Sequence, residues 1–564
     1  MVFRNELSEY KVNNLYLELA TLISKHTKLD LTSIVNLMRI PPSLDFGDVS
    51  FPCFTLSKTL KKAPNLIAEE LAEVIKAEFL EKVLAVNGYL NFYFDKKHFV
   101  KCALVDISKK DFGKNNHGAN KKVIVEMSSP NIAKSFGIGH LRSTIIGESL
   151  ARIYEFNGYK SIKINYLGDW GTQFGKLLLA FELYGDEKKL LADPINHLQD
   201  VYVKLNQNLT EELEVRAKQN FKLMEEGDKK TLATWKKFKE KSIEEFMEIY
   251  DLLGVSFDEI SGESTQNKKS LEIINKLKDK KIAKQSEGAL IIDFEDDLGV
   301  GILQKSDGTT IYLSRDISAA IERKEKYDFE EMIYEVGSEQ ELHFKQVFKA
   351  LKLMGYKWAD NLKHITHGLY LGKDGKKLST RGGSSVKMRD IWAEVESKVL
   401  AELKKRDSAI DSRLKLITRS AVLYGDLKNF RNTSVIFDAK SITSMEGDTG
   451  PYLLYSYARS KSILRKLKFK TQKIGEVVPE MEEYSLIVKL GQFPYIVLTA
   501  KLRDDPSQVA NYVMSLSQEF NSFYTKCKVQ GSDKEDFRAS LVYLYAETLK
   551  KALNLIGIDT IEEM

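Results

Sequence analysis

The chain has 564 residues, 43% hydrophobic and 29% charged with only ten prolines, which allows about three or four globular domains and excludes collagen-like and disordered chains. Lys plus Arg number 85 against 80 Asp plus Glu, so the net charge of +5 is too slight at this length to identify nucleic acid as a partner by itself. Cys53, Cys102 and Cys527 lie far apart with no CxxC pair, so neither a disulfide framework nor a local thiolate zinc site can be assembled, and a reducing compartment is expected. No run approaches about eighteen uncharged apolar residues, and the start, MVFRNELSEYK, carries charge where a signal peptide needs an apolar stretch. A cytoplasmic protein without a membrane partner is the expectation.

Residues 1 to about 115 combine the helical pattern LIAEELAEVIKAEFLEK with a short extended run, GYLNFYF, and end in the polar bridge DFGKNNHGANKK. They read as a small α+β domain and a linker. KKVIVEM then has the β-branched character of a buried strand, SSPNIAKSFGIG is a loop, and HLRSTIIGESLARIYEFNGYK has helical spacing that should stop near Asn157 and Gly158. SIKINY follows as a second strand, and strand, glycine loop, helix and strand in this order make a βαβ crossover, the start of a doubly wound parallel sheet.

From about 185 to 255 the chain turns charged and helical, as in EEGDKKTLATWKKFKEKSIEEFMEIYDLLG, and reads as an insertion. Strand-like runs resume at ALIIDF, TTIYLSR and MIYEVG, interleaved with the helical IERKEKY and HFKQVFKALKLMGY, so the second half of the sheet is expected between 256 and 390. Beyond about 400 nearly every segment has helical spacing, which makes 400–564 an all-α domain.

Four segments carry chemistry. In SSPNIAKSFGIGH, between a strand and a helix, backbone N–H groups and the helix dipole can receive phosphate oxygens; Gly137 and Gly139 permit close approach and His140 can donate a hydrogen bond. The same glycines also suit a turn that serves only packing. A P-loop is absent, and a dinucleotide fingerprint would need a third glycine where Arg142 stands. LGKDGKKLSTRGGSS, residues 371–385, unites Lys373, Lys376, Lys377 and Arg381 with four glycines; such a loop either closes over a polyphosphate or is simply solvated surface. Glu126, Glu263 and Asp316 lie near strand ends, and Tyr312 shares a face with Asp316 if YLSRD opens a helix. Together they can bind a cation; separately they are caps or surface acids. In GDTGPYLLYSYARSKSILRKLKFK, Tyr452, Tyr455 and Arg459 fall at helical spacing and lead into Arg465, Lys466, Lys468 and Lys470, which suits either stacked bases and phosphates or an aromatic core with a wet basic face.

In order, EMSSPNIAKSFGIGHLRSTIIGESL, NYLGDWGTQFGKLL, YSGES-type SGES, QKSDGTTIYLSRDI, KKLSTRGG and EGDTGPYLLYSYARS resemble the successive signatures of the class I arginyl-tRNA synthetases, from about 120 to the end. GIGH at 137–140 stands where the class carries its HIGH-type signature and KLSTR at 377–381 where it carries KMSKS. The first histidine of HIGH is Gly137 here, and the fourth position of KMSKS is Thr380, so Lys377 and the upstream Lys373 and Lys376 are the cations available to the transition state.

The resemblance implies a Rossmann-like catalytic domain at 116–390, an all-helical anticodon-binding domain at 400–564, and an N-terminal module that touches tRNA. It implies that arginine and ATP, with Mg2+ as companion of the nucleotide and no protein metal site, form an adenylate whose arginyl group passes to the terminal adenosine of tRNA-Arg. His140, Gly139 and Lys377 are the implied catalytic groups, and Gly137, Gly139, His140, Lys373, Lys376, Lys377 and Ser379 the ATP-binding set. Asn131 and Gln340 would hold the amino-acid end of arginine with Glu126 nearby, and Tyr312, Asp316 and Glu263 its guanidinium, whose planar fork of donors needs carboxylates in fixed directions. For tRNA the implied contacts are Tyr452, Tyr455, Arg459, Tyr524 and Met564 in the C-terminal domain and Asn91 and Phe92 in GYLNFYF. A monomer is expected, with bound tRNA needed for arginine activation and no editing site. The altered Gly137 and Thr380 leave a noncatalytic tRNA-binding paralogue as the alternative, and the half-matching GIGHLR a nicotinamide-dependent oxidoreductase as a remoter one.

Overall fold

The computed structural model describes residues 15–41, 43–294, 297–306, 308–372, 374–378, 386–405, 413–472 and 478–564. Its N-terminal part carries an antiparallel sheet of β1 (Val49–Pro52), β2 (Leu80–Val86) and β3 (Tyr89–Phe94) in the order β1-β3-β2. Asn87 and Gly88, both at positive φ, form the two-residue hairpin that joins β2 to β3. The helical reading of LIAEELAEVIKAEFLEK holds only for Pro64–Val74; its tail enters β2. Pairing with β3 overrides the charged, helix-like composition of that tail, because β2 is half exposed and tolerates charge on its outer face.

The central sheet contains β4 (Lys122–Glu126), β5 (Lys160–Leu167), β6 (Glu259–Gly262), β10 (Glu331–Gly337) and β11 (Leu362–His367). All neighbours pair in parallel, in the order β11-β10-β4-β5-β6. Val123, Ile124 and Val125 of β4 are completely buried, as a strand covered by helices on both faces must be. The chain winds from β4 outward to β6 and then returns to the other side of β4 for β10, so the switch point lies between β4 and β10. A ligand crevice is expected outside their carboxyl ends.

Between β6 and β10 stands a separate antiparallel sheet of β7 (Ala283–Ser286), β8 (Ala289–Asp293) and β9 (Val300–Gln304). ALIIDF is β8 and so belongs to this sheet, not to the parallel one. TTIYLSR is not a strand: Thr310 makes one bridge to Gln304, and a helix starts at Tyr312 and runs to Tyr327. Its β-branched residues cover only the approach to that helix, which buries Leu313, Ile317 and Ile321 on one face.

Helices Glu187–Ala192, Pro194–Gln207, Glu211–Glu226 and Lys229–Leu253 interrupt the sheet between β5 and β6. Thr210 and Asp228 cap the last two by accepting from Leu213 N–H and Thr231 N–H. Past residue 400 the described chain is helical except for β13 (Val435–Ile436), which pairs with β12 (Tyr370–Leu371). A buried polar cluster joins this part to the sheet: Tyr154 donates to Asp504 at 2.6 Å, while Lys363 and Lys501 reach Glu331 at 2.7 and 3.2 Å. Burial would raise the Glu331 carboxyl, but Lys501 and Lys363 outweigh it and hold it down to about 2. The N-terminal part docks on the same helices, with Tyr495 donating to the carbonyls of Val35 and Met38. Among the described residues no helix is long and apolar enough to cross a membrane.

Candidate active site

The loop after β4 is pinned from two sides. Ser128 N–H donates to Ser143 Oγ at 2.9 Å, Ser128 and Tyr250 share a hydroxyl bond of 2.8 Å, and Ala133 N–H donates to Ser242 Oγ at 2.9 Å, so the inserted Lys229–Leu253 helix holds the loop in place. Gly137 caps the helix Ile138–Phe156, and its N–H donates to His140 Nδ1 at 3.2 Å. Nδ1 is thereby an acceptor and the proton belongs on Nε2. Burial, then the charge of Lys134, push the imidazole down to about 4, so the ring is uncharged at neutral pH and offers Nε2–H as a donor. A Cβ on Gly139 would meet no protein atom within 4 Å, whereas one on Gly147 would lie 2.4 Å from Met127 Cβ. Packing explains the second glycine and leaves the first to a ligand that comes close to the backbone.

The basic loop is joined to the glycine loop at its far end. Ile138 N–H donates to Val386 O at 2.9 Å, Met388 N–H to Phe136 O at 2.8 Å, and Gly137 bridges Lys387 in antiparallel fashion. Its near end is a tight hairpin in which Lys377 bridges Leu371 and Gly372 N–H donates to Lys376 O at 2.8 Å. Lys376 and Lys377 are exposed, Lys377 lying 3.9 Å from Glu339. Lys373 and Ser379, with Thr380 and Arg381, fall outside the described residues. The glycine loop thus lies against Val386, Lys387 and Met388, which follow the basic loop, at the positive end of a helix dipole.

The expected acidic cup is present, with a charge balance that the sequence does not announce. Glu126 is buried and paired with Arg323; burial pushes its carboxyl up while Arg323 pulls it back. Glu263 receives Arg315 Nη1 at 2.6 Å, and burial, opposed by Arg315 and aided by Asp316, leaves its carboxyl pushed up to about 7. Asp316 makes no ion pair with lysine or arginine among the described residues; its Oδ2 is bonded to His343 Nε2 at 2.6 Å. Tyr312 is exposed and sets its ring edge-on against His343, 4.9 Å between centroids, so Tyr312 and Asp316 do share one helix face. Arg323 faces Glu126 and Arg315 faces Glu263, so Asp316 is the carboxylate of the three that no lysine or arginine faces among the described residues. Asp169 fixes the neighbouring turn by accepting from Ser264 N–H at 2.8 Å, and Lys239 of the insertion neutralises it at 2.6 Å.

Asn131 and Gln340 are exposed at the carboxyl ends of the switch-point strands. Asn131 bridges Gly168, where a Cβ would lie 2.0 Å from Asn131 Oδ1, so a side chain at that position would displace the Asn131 amide. The sequence reading missed Arg315, Arg323 and His343. Arg315 adjoins Asp316 and His343 follows Gln340 by three residues; the usable signal was that buried carboxylates require partners.

In the C-terminal part, Arg459 sits over the Tyr455 ring at 4.7 Å and 5.9 Å from the Tyr524 ring, and donates to Asn521 Oδ1 at 3.1 Å. Asn521 in turn donates to Tyr452 OH. These expected contacts therefore form one aromatic and cationic platform, with Tyr524 40% exposed; Met564 packs half-buried against the core. Phe92 is a correction: it is fully buried in β3, so its ring has no face for a base. Asn91 is also buried, and its carbonyl accepts from Ser50 Oγ at 2.8 Å. Alternation in β3 sends Leu90, Phe92 and Phe94 to the core side and Tyr89, Asn91 and Tyr93 to the other, a period-2 pattern that GYLNFYF carries.

Comparison with known families matches three models: the catalytic domain of class I tRNA synthetases (R) over residues 100–439, the DALR anticodon-binding domain over 453–564, and the arginyl tRNA synthetase N-terminal domain over 14–94. An arginine--tRNA ligase of Clostridium botulinum is 42% identical over 557 residues, covering 96% of this chain and 98% of its own. One from Clostridium beijerinckii is 40% identical over 561 residues, covering 97% and 99%. Among solved structures, Thermus thermophilus arginyl-tRNA synthetase superimposes with a TM-score of 0.81 at 24% identity over the whole of both chains. The Plasmodium falciparum enzyme gives 0.80 at 24% identity, covering 97% and 98%. At that identity the superpositions speak to fold.

Proposed function

The chain belongs to the class I arginyl-tRNA synthetase family, and from that premise we propose how its own residues divide the work of an arginine--tRNA ligase. The reaction uses ATP, arginine and tRNA. A carboxylate oxygen of arginine attacks the α-phosphorus of ATP; the new O–P bond forms as the bond to the β-bridging oxygen breaks, and pyrophosphate leaves with that electron pair. A hydroxyl of the terminal ribose of tRNA then attacks the adenylate carbonyl, losing its proton as AMP departs. No protein nucleophile enters either step, so the site works by positioning and by stabilising charge.

In this reading Gly139 lets the nucleotide approach the helix N-terminus, and uncharged His140 donates Nε2–H to a phosphate oxygen. Lys376 and Lys377 bring positive charge toward the departing pyrophosphate from their exposed hairpin. Lys373 and Ser379 keep the ATP-binding roles that the family resemblance gives them. Asn131 and Gln340 hold the α-amino and carboxylate end, and Asp316, with Tyr312 and Glu263 beside it, receives the guanidinium. Glu126, committed to Arg323, acts as a wall of this pocket and not as a direct ligand. Mg2+ enters as the counter-ion of ATP. Tyr452, Tyr455, Arg459, Tyr524 and Met564 serve the anticodon side, and the enzyme operates as a cytoplasmic monomer.

The observation that supports the reading is the antiparallel bridge of Gly137 to Lys387, which joins the glycine loop to the residues that follow the basic loop. Aminoacylation of total tRNA with each amino acid in turn is the test. Label transferred from arginine alone is expected; label from another amino acid, or none with any, would overturn it.

A further inference from the structure

We propose that His343 is a positioning residue for arginine recognition: its Nε2–H fixes the Asp316 carboxylate toward the guanidinium without cancelling the charge that binds it. The proposal rests on the reading of Asp316 as the guanidinium acceptor.

Glu126 and Glu263 each have an arginine at the other end, and neither retains a full charge for a ligand. Asp316 is different. Among the described residues its side chain bonds His343 Nε2 alone, at 2.6 Å, with the Asp316 side chain 19% and that of His343 12% exposed. A carboxylate alone on a helix rotates about its last bond, and a bidentate guanidinium contact tolerates little such rotation. One oxygen held by an imidazole leaves the other in a fixed direction.

The chemistry of the partner matters. Lysine or arginine at 343 would hold Asp316 equally firmly but would neutralise it, and each of the three carboxylates would then face a cation of the protein. Imidazole can donate N–H while uncharged. His343 Nδ1 is buried without a hydrogen-bond partner among the described residues, so the bond the imidazole makes there is the one to Asp316. Tyr312 completes the support by setting its ring edge-on against the imidazole at 4.9 Å, so the residue that reaches into the pocket and the residue that aims its carboxylate pack on one another.

The test measures arginine KM, ATP KM and kcat of the full-length enzyme in tRNA-dependent pyrophosphate exchange for His343→Phe, His343→Gln and Asp316→Asn. Phe keeps the ring packing and loses the donor; the Gln amide restores a donor at a similar reach. His343→Phe is expected to raise arginine KM about tenfold with kcat and ATP KM within about twofold, and His343→Gln to recover most of that affinity. If Asp316→Asn raises arginine KM and His343→Phe does not, the positioning role is overturned while the pocket stands. Equal damage to ATP and arginine use by His343→Phe also overturns it, as a purely structural effect. An unchanged arginine KM in Asp316→Asn overturns the pocket reading itself.

Discussion

Gly137 and Lys387 face each other across an antiparallel bridge, which makes the glycine loop and the exit of the basic loop one continuous piece of backbone structure. Gly139 follows at once, exposed, with no protein atom near the place its Cβ would take. Gly139→Ala should therefore fold with unchanged or slightly higher stability, alanine being favoured in a helix by up to about 1 kcal/mol. Its kcat/KM for ATP should fall by at least about tenfold, because the added methyl stands where the nucleotide approaches. Gly147→Ala should do the reverse, costing about 1–3 kcal/mol by driving a methyl into Met127. Urea unfolding beside pyrophosphate exchange separates the two; a Gly139→Ala enzyme with normal ATP use would remove that glycine from the site.

Glu263 gives arginine binding a pH dependence. Burial first, then the nearby Asp316 charge, push its carboxyl up to about 7 against the pull of Arg315. In the free protein this raised value means that stability declines as pH climbs from the ordinary carboxyl range toward 7, since the unfolded chain ionises earlier. An arriving guanidinium favours the anion, so arginine binding should release protons near pH 7. Arginine KM should drop between about pH 6 and about pH 8, and Glu263→Gln should flatten that dependence. A wild-type KM flat across this range would count against the assignment of Glu263 to the pocket.

Much of the architecture was legible because its signals are local. KKVIVEM, the glycine loop and the helix that stops at Asn157 announce a βαβ unit through period and punctuation, and β4, Ile138–Phe156 and β5 lie where those signals put them. ALIIDF and TTIYLSR misled because β-branched composition reports burial, not the sheet a strand joins, and Tyr312 opens a helix directly behind a β-branched run. Of the candidate site, Asp316, Tyr312, Asn131 and Gln340 were named from the family resemblance, and the shared helix face of Tyr312 and Asp316 followed from their spacing. That Glu126 and Glu263 are neutralised by Arg323 and Arg315 could not, since charge pairing between distant segments leaves no trace in spacing.

His140 is uncharged throughout the working range. With its folded value near 4, set by burial and Lys134, and an ordinary value near 6.5, the unfolded chain takes up the proton first. Stability should consequently fall as pH drops from about 6.5 to about 4, by up to about 1.4 kcal/mol per pH unit for this proton, and level off below. His117, pushed down to about 4 by burial and Lys501, adds a second proton over the same window. The adenylation rate should show no inflection near 6.5 that His140→Ala abolishes. Finding one would mean that the imidazole acts as a titrating acid instead of a fixed donor.

Arg142 occupies the position where a dinucleotide fingerprint would have glycine, and its side chain explains why the oxidoreductase reading fails. Nε lies 3.0 Å from Asp426 with both side chains 1% exposed, and Nη1 donates to Thr433 O at 2.7 Å. The pair ties the catalytic helix to Arg413–Leu427. Arg142→Ala strands a buried carboxylate and should cost about 3–5 kcal/mol, whereas Arg142→Met combined with Asp426→Leu should recover most of it. Apparent urea midpoints of the single and double variants are the measurement. A double variant as unstable as the single would show that the ion pair is not the source of the loss.

Arg459 ties the aromatic platform of the C-terminal part together, lying over Tyr455 and near Tyr524 while bonding Asn521. An exposed ring beside a fixed guanidinium offers an unstacked base one face and a cation. Tyr524→Ala should weaken tRNA binding by about 1–3 kcal/mol, read as Kd by filter retention at fixed salt. Arg459→Ala should weaken it similarly, and the double variant should lose less than the sum, because each single change already disorders the shared platform. Phe92→Ala should behave differently. Its ring is fully buried, so the change should lower stability by about 3–5 kcal/mol, with any loss of tRNA affinity following the unfolded fraction. A Phe92→Ala protein that is fully folded yet deficient in tRNA binding would return that residue to the interface.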